Sequence, residues 1–213
     1  MAKKVNEMWG AYTQLVYEAA EDTDREIYRR LLEQVRPNNN IKLEEEDVRY
    51  AFDVMQFCED STGVVEIKVR HKYTYEQFAD ISIDTYKISK ILSAMDELSA
   101  NNAYVVAMYP KSDKIAIIDI TYLDYTMDDV EERKANYTTI GQSQEKRQKM
   151  FIPLNIRRGK DVLGTFTYVY TYPHLMNDYV NVFKAKCCVR NIPEFIVNDV
   201  LREFSHPTCS SLL

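Results

Sequence analysis

The chain has 213 residues, of which 46% are hydrophobic and 28% charged, and it contains 16 tyrosines but only 5 glycines. These values are ordinary for a soluble globular protein with a hydrophobic core, and they argue against low-complexity linkers. The net charge of −6 argues against a protein that coats nucleic acid, because extensive phosphate binding leaves a basic surface.

The first 35 residues predict two amphipathic helices. Apolar side chains recur at helical spacing over residues 5–16 and again over residues 24–35, and Pro37 ends the second pattern. Thr23 and Glu26 have the spacing of a helix capping box, which places them at the start of the second helix.

Two strand-like runs follow, over residues 48–58 and 64–70. The polar stretch between them, residues 59–63, has turn chemistry, so we expect the two runs to pair as an antiparallel hairpin. Because side chains alternate along a strand, Glu66 and Lys68 point to the same face of this hairpin.

A helix is predicted next, over about residues 84–99, and it is followed by strands over residues 103–109 and 114–120. The resulting order of helix, strand, strand, helix, strand, strand is what a three-layer α/β core requires. Several other α/β folds share this order.

The C-terminal part of the chain predicts further strands and a helix. Residues 128–149 are highly charged, and we interpret them as a lid, a DNA-contacting loop or a surface excursion. Strand character resumes at residues 151–154 and 162–170, and Pro193 is placed to occupy the first turn of a final helix.

Asp53 lies in the middle of the first predicted strand, and hairpin pairing brings its carboxylate towards that of Glu66. Mg²⁺ prefers oxygen ligands, which these two carboxylates and the backbone carbonyl of Ile67 provide. Lys68 would orient or deprotonate an attacking water, or neutralise developing charge. Such a site suits the hydrolysis of phosphodiesters. The alternative is a solvent-facing Glu/Lys pair on an ordinary strand.

Asp53, then Glu66-x-Lys68, then a helix, resemble the motif of the PD-(D/E)XK nuclease superfamily. Phe52 stands where the family pattern has a proline. The resemblance covers roughly residues 22–120, about half of the chain, and it is to the small phage-type nucleases in particular.

The resemblance implies an α/β fold with a restriction-endonuclease-like three-layer core, in which helices flank a central mixed sheet. We expect a single domain over residues 1–213. Its core would lie at about residues 22–120, and residues 121–213 would form a C-terminal elaboration of strands and helix.

The same resemblance implies a metal-dependent (endo)deoxyribonuclease with DNA as its partner, and the choice between endo- and exonuclease action stays open. Asp53, Glu66 and Lys68 would be its catalytic residues. Mg²⁺ or Mn²⁺ would be its cofactor, held by Asp53, Glu66 and the carbonyl of Ile67.

Two flanking residues are further candidates for that site. Glu26 would add a metal ligand from the preceding helix, with Glu18 as the runner-up, although the capping box is an alternative explanation for Glu26. Lys87 stands near the start of the following helix, where related nucleases often carry a Lys or Gln that supports the site. An exposed helical lysine is the alternative for Lys87, and Tyr86 is a weaker candidate.

Two other functional classes stay open: a non-catalytic nucleic-acid-binding module on the same fold, and a phage interaction or structural protein with an α/β core. None of the four cysteines lies in a Cys-x-x-Cys pair, which argues against a zinc site. We expect no membrane partner and a cytoplasmic location, in the host cell if the chain is phage-encoded. The sequence leaves the oligomeric state open, with a homodimer as one option.

Overall fold

The computed structural model describes residues 2–37, 41–44, 52–59, 61–136 and 146–205. Its helices are α1 (Ala2–Val35), α2 (Thr85–Glu97), α3 (Leu175–Val189) and α4 (Glu194–Ser205). Its strands are β1 (Lys42–Glu44), β2 (Val54–Cys58), β3 (Ser61–Val69), β4 (Asp80–Asp84), β5 (Asn102–Tyr109), β6 (Lys114–Asp119), β7 (Glu131–Asn136), β8 (Lys146–Asn155), β9 (Gly159–Lys160) and β10 (Phe166–Thr171). No helix within these residues is long and apolar enough to cross a membrane.

One helix takes the place of the two that the sequence predicts, because α1 runs without a break through Thr23. Thr23 is fully buried, and its hydroxyl donates a hydrogen bond to the carbonyl of Ala19 at 2.6 Å. A threonine inside a helix can satisfy its hydroxyl on the carbonyl four residues earlier, so this residue does not act as an N-cap. The predicted helix break and the capping box with Glu26 are therefore wrong.

The predicted hairpin is confirmed, but residues 61–63 of the predicted turn belong to a strand, because β3 begins at Ser61. β2 and β3 are antiparallel neighbours, with Val54 opposite Val65. Asp53 lies directly before β2 rather than in the middle of a strand, since β2 begins at Val54. The predicted strand residues 48–51 lie outside the described part of the chain.

A seven-stranded mixed sheet with the strand order β1-β2-β3-β5-β6-β10-β9 forms the centre of the molecule. β3 and β5 are parallel, and the connection between them includes β4 and α2. The other neighbouring strands of this sheet are antiparallel. The predicted helix at residues 84–99 is confirmed as α2, and the strands predicted at 103–109 and 114–120 are confirmed as β5 and β6.

A second, three-stranded antiparallel sheet has the order β4-β8-β7. β8 contains the strand predicted at residues 151–154 and extends it back to Lys146. β7 lies in the charged segment 128–149, which the sequence marks as a lid, a loop or a surface excursion. An apolar alternation is absent from β7, and a prediction from hydrophobic periodicity misses such a strand. Residues 137–145 lie outside the described part of the chain.

The last elements follow the prediction in part. The strand predicted at residues 162–170 begins later, at Phe166, because residues 161–164 form a turn in which Gly164 has a φ of +79°. The final helix is confirmed as α4, directly after Pro193. α3 is not predicted from the sequence.

Helices pack on both faces of the central sheet, so the fold is α/β and compatible with a three-layer arrangement. α1, α3 and α4 cover one face, where Leu31, Val65 and Phe183 are fully buried. α2 and the second sheet cover the other face, where Val64 and Ile88 are fully buried. Burial of two such apolar clusters is the main favourable contribution to folding.

Candidate active site

The hairpin of β2 and β3 positions Asp53 beside Glu66. The register of the two strands, continued by one residue, places Asp53 opposite Glu66. The backbone N–H of Asp53 donates to the carbonyl of Val65 at 2.9 Å, and the N–H of Ile67 donates to Asp53 Oδ2 at 2.5 Å. Both the main chain and the side chain of Asp53 are thus fixed on β3. The carboxylate of Asp53 makes no other hydrogen bond or ion pair within the described residues.

Glu66 is 0% exposed, and two lysines hold its charge. Lys68 pairs with Glu66 Oε1, and Lys87 Nζ lies 2.8 Å from Oε2. Neither oxygen accepts a hydrogen bond of good geometry from the residues that the structure describes. Burial raises the pKa of Glu66, the negative charge of Asp53 raises it further, and the two ammonium groups oppose this shift.

Lys68 keeps its positive charge in this setting. Burial by itself lowers the pKa of a lysine, but the carboxylates of Glu66 and Asp53 outweigh that effect, so the pKa of Lys68 is raised. The side chain of Lys68 remains partly accessible, whereas that of Glu66 does not. A solvent-facing Glu/Lys pair, the alternative for this strand, does not describe a fully buried glutamate.

α2 brings Lys87 to the site. Asp84 caps the helix by accepting a hydrogen bond from the N–H of Tyr86 at 3.0 Å, and Ile88 and Ile91 are buried against the sheet. This packing directs Lys87 towards Glu66. Tyr86 is 66% exposed and contacts a lysine of its own helix, Lys90 Nζ lying 5.6 Å from the ring centroid, rather than the site.

α1 contributes two carboxylates that the sequence analysis missed. Burial raises the pKa of Asp24 to about 8, with a further increase from Asp53 and opposition from Lys68 and from a hydrogen bond that Tyr179 donates at 2.5 Å. Partial burial also raises the pKa of the more exposed Glu21, and Asp53 adds to that shift. Asp24 and Glu21 therefore lie within electrostatic range of the Asp53 carboxylate.

The structure places Glu26 away from this group. Its Oε1 is paired with Arg29 and Arg30 at 2.8 Å each, and the hydrogen bond from Arg29 holds its pKa below the usual range. Glu18, the second candidate for a metal ligand from this helix, has its Oε2 atom 3.8 Å from Arg190 Nε. The structure thus brings together Asp53, Glu66, Lys68 and Lys87 among the predicted residues, but it does not bring Glu26 or Glu18 to them.

The signal for the missed carboxylates is helical spacing. Glu21, Asp24 and Tyr28 follow each other at intervals of three and four residues, which places them on one face of a continuous helix. Tyr28 on that face is buried. An acidic residue in line with a buried position is a candidate for a site in the interior. The assumed helix break at Thr23 concealed this alignment.

His71 and Tyr179 support Asp24 from behind. The His71 ring stacks on Phe204 with 3.9 Å between centroids and meets the edge of Tyr179 at 4.6 Å. Burial lowers the pKa of His71 to about 3, so this histidine is neutral at physiological pH. Burial, followed by Asp24, raises the pKa of Tyr179 well above its usual value, so its hydroxyl stays protonated and donates to Asp24.

The donor set fits a hard divalent cation, although it is not preassembled. Within the described residues, no group of three or more His, Cys, Asp and Glu side chains is arranged to hold a metal ion. The two buried oxygens of Glu66 nevertheless accept no hydrogen bond of good geometry within the described residues, and only the ammonium groups of two flexible lysines face them. Asp53 lies opposite Glu66, and carboxylate oxygens are the ligands that Mg²⁺ and Mn²⁺ prefer.

Comparison with models of known protein families, with curated proteins and with solved structures finds no significant match for this chain. The geometry and the charges of the site therefore carry the assignment of function.

Proposed function

We propose that this protein is a Mg²⁺- or Mn²⁺-dependent deoxyribonuclease of the PD-(D/E)XK type, with a restriction-endonuclease-like core. The observation that carries the proposal is a fully buried Glu66 opposite Asp53, with Lys68 and Lys87 paired to its two oxygens. A fully buried carboxylate beside a second acid and two partly accessible lysines is costly, and such clusters are typical of active sites.

Asp53, Glu66 and the carbonyl of Ile67 are the groups that would hold the cation. When bound, the ion would supply positive charge to the scissile phosphate and lower the pKa of an attacking water. The more exposed Glu21 lies within electrostatic range of the same place and would attract the cation without contacting it. Lys68 and Lys87 are paired with the oxygens of Glu66, so they place positive charge where the divalent cation would bind.

Lys68 has two successive roles in this proposal. Beside the negative charges of Glu66 and Asp53, Lys68 is an ammonium. A cation held by Glu66 and Asp53 would offset that negative charge, and burial would then favour the amine form of Lys68, which could accept a proton from water. As an ammonium again, Lys68 stabilises the charge that develops on the phosphate oxygens. Lys87 keeps Glu66 oriented from the opposite side.

One observation favours a second candidate, a non-catalytic DNA-binding module on the same fold. The charge of Glu66 is already compensated by Lys68 and Lys87, so the site is complete as an ion-pair network without a metal. In that case the cluster would be a structural element, and the protein would bind DNA without cutting it.

Cleavage of DNA by a matched pair of variants tests the proposal. Glu66→Gln removes the charge of the buried carboxylate with little change of shape, and Glu97→Gln makes the same change at an exposed position of α2. Linear duplex, branched and single-stranded DNA should each be offered with Mg²⁺, with Mn²⁺ and with chelator.

We expect cleavage that requires a divalent cation, is abolished by Glu66→Gln and is retained by Glu97→Gln. Binding of DNA by the wild type without cleavage of any substrate would replace the nuclease with the non-catalytic module. Neither binding nor cleavage would favour the interaction or structural protein.

A further inference from the structure

A cleft of about 280 Å³ opens beside the candidate active site, where β3 ends. Glu66, Lys68 and Arg70 occupy alternate positions, so their side chains point to the same side of the strand. Arg70, which lines the cleft, comes four residues after Glu66. At about 3.3 Å per residue, the two positions lie about 13 Å apart along the strand. That distance corresponds to about four nucleotides along one strand of duplex DNA. The charge of Arg70 also acts on the pKa of Lys68, so the cleft and the site are electrostatically connected.

Arg70 is the main positive charge that the cleft offers to a ligand. Its guanidinium is half-buried, and burial lowers its pKa, against the opposing influence of the hydroxyls of Tyr109 and Tyr73. No carboxylate pairs with Arg70 among the described residues, although Asp80 lines the same cleft. A desolvated guanidinium without a counter-ion is unfavourable, and phosphate matches its planar fork of donors.

An exposed aromatic pair stands beside Arg70. Tyr73 and Phe78 are 36% and 47% exposed, and their rings meet edge to face with 5.1 Å between centroids. Large exposed aromatic rings next to a cation are what single-stranded nucleic acid stacks upon.

The second sheet forms the opposite wall of the cleft and supplies polar groups. Arg133 donates to Ser82 Oγ at 2.9 Å and is paired with Glu131, so its charge is already compensated. Asp80, at the start of β4, is exposed and could accept a hydrogen bond from the amino group of a base. A volume at the lower limit of ligand pockets leaves room for one small unit rather than for a duplex.

We propose that this cleft binds a single nucleotide unit, with the phosphate on Arg70, the base against Tyr73 and Phe78, and Asp80 at the base edge. The unit is a nucleoside 5′-phosphate, either free or part of a DNA strand. Only the assignment to a DNA strand rests on the proposed nuclease function, since the cleft itself recognises the chemistry of the nucleotide.

Binding measured by calorimetry in the presence of chelator, where no cleavage occurs, tests this inference. The probes are a mixture of deoxynucleoside 5′-monophosphates, a short single-stranded oligonucleotide, and the same oligonucleotide with abasic positions. The cleft variants are Arg70→Gln and Phe78→Ala, and the side chain that the second one removes is 47% exposed. Arg158→Gln is the control, because it removes the same charge from an exposed arginine outside the cleft.

We expect Arg70→Gln and Phe78→Ala each to weaken binding of the oligonucleotide at least about fivefold, the lower limit for losing one base-stacking contact. Arg158→Gln should have a much smaller effect, and Phe78→Ala should remove the preference for the intact over the abasic strand. Weakening of monophosphate binding by the same variants would identify a site for the free nucleotide. An effect on the oligonucleotide alone would identify a site for a strand.

Equal losses in Arg70→Gln and Arg158→Gln, or no difference between intact and abasic strands, would overturn the inference. Failure of the nuclease proposal gives a different result. If no DNA is cleaved but binding still depends on Arg70 and Phe78, the nucleotide site stands and the catalytic proposal does not. Glu97→Gln should leave this binding unchanged, because Glu97 is exposed and does not line the cleft.

Discussion

At the scale of single residues, the candidate active site contains charged groups whose desolvation costs free energy. Glu66 has no exposed surface, and Lys68 and Lys87 hold its charge by ion pairs in the interior. Taking a carboxylate fully out of water, and two ammonium groups partly, costs more in many proteins than their mutual attraction returns, and apolar residues of similar size would often be more stabilising. Retaining such a group is consistent with a role in function rather than in folding.

The side chain of Lys68 gives the most specific catalytic prediction. Lys68→Ala should slow DNA cleavage at least about a hundredfold, the usual effect of losing one acid–base or charge-stabilising group. The affinities for DNA and for the metal should change little, because the loss falls on the transition state. Single-turnover cleavage rates and binding constants measure the two effects separately.

Lys72→Ala is the control for this prediction. Lys72 is exposed, lies further along the same segment and is paired with Glu203 at 3.2 Å. Its loss should have a mild effect that depends on salt concentration. Undiminished cleavage by Lys68→Ala would contradict the assigned role of Lys68.

Asp24 gives a prediction about the pH dependence of stability. Its pKa is raised to about 8 in the folded protein, whereas the unfolded chain loses this proton near pH 4. The folded state therefore holds a proton that the unfolded state has released. The stability associated with Asp24 is present at low pH and is lost as the pH rises from about 4 to about 8.

Asp24→Asn does not titrate, but it keeps an oxygen that accepts the hydrogen bond from Tyr179. In the absence of metal, its free energy of unfolding should fall less than that of the wild type across this pH range. Urea unfolding at several pH values measures the difference, and Asp96→Asn, at an exposed position of α2, is the control. Parallel curves for the wild type and Asp24→Asn would show that Asp24 is not protonated in the folded protein.

At the scale of elements, the hairpin and α2 could be predicted because each has a clear local pattern. β2, β3 and α2 carry clean apolar patterns, so the approach of Asp53, Glu66, Lys68 and Lys87 could be anticipated from their positions. The contribution of α1 could not, because Thr23 has the chemistry of a helix start as well as of a helix interior. Only tertiary packing decides between the two.

The second sheet marks another limit of prediction from the sequence. β4 pairs with β8, about 70 residues further along the chain, and no local pattern specifies a partner at that separation. The cleft formed with this sheet therefore could not be foreseen. Neither could the absence of a carboxylate partner for Arg70 among the described residues.

α2 offers a prediction at this scale, because it holds Lys87 in place by burying Ile88. Ile88→Ala should lower the free energy of unfolding by about 2–5 kcal/mol, the usual cost of deleting a buried aliphatic side chain. Cleavage should also decline, since α2 would no longer hold Lys87 firmly against Glu66. Lys90→Ala, on the exposed side of α2, should change stability by less than about 0.5 kcal/mol. Similar stabilities for the two variants would contradict the packing of α2 on the sheet.

At the scale of the whole molecule, the site lies where three layers meet. The hairpin belongs to the central sheet, α1 covers one face of that sheet, and α2 covers the other. Acidic side chains from α1 and from the hairpin act on one another there, and lysines from the hairpin and α2 oppose them. The protein has a net charge of −6, so the DNA binding that we propose would depend on local cations rather than on the overall charge.

The central claim is that Asp53 and Glu66 together bind one divalent cation, and thermal unfolding with added metal tests it most directly. A ligand that binds only the folded state stabilises it by about 2.7 kcal/mol at a hundred times its dissociation constant. For a chain of this size, that corresponds to an increase in Tm of about 5–10 °C.

The comparison is between the wild type and the double variant Asp53→Ala/Glu66→Ala, each measured with chelator, with Mg²⁺ and with Mn²⁺. The difference made by the metal, rather than the Tm itself, is the readout, since removing Glu66 also leaves Lys68 and Lys87 without their partner. We predict that both metals raise the Tm of the wild type and leave that of the double variant unchanged. Equal shifts in the two proteins, or no shift in the wild type, would contradict a metal site at Asp53 and Glu66.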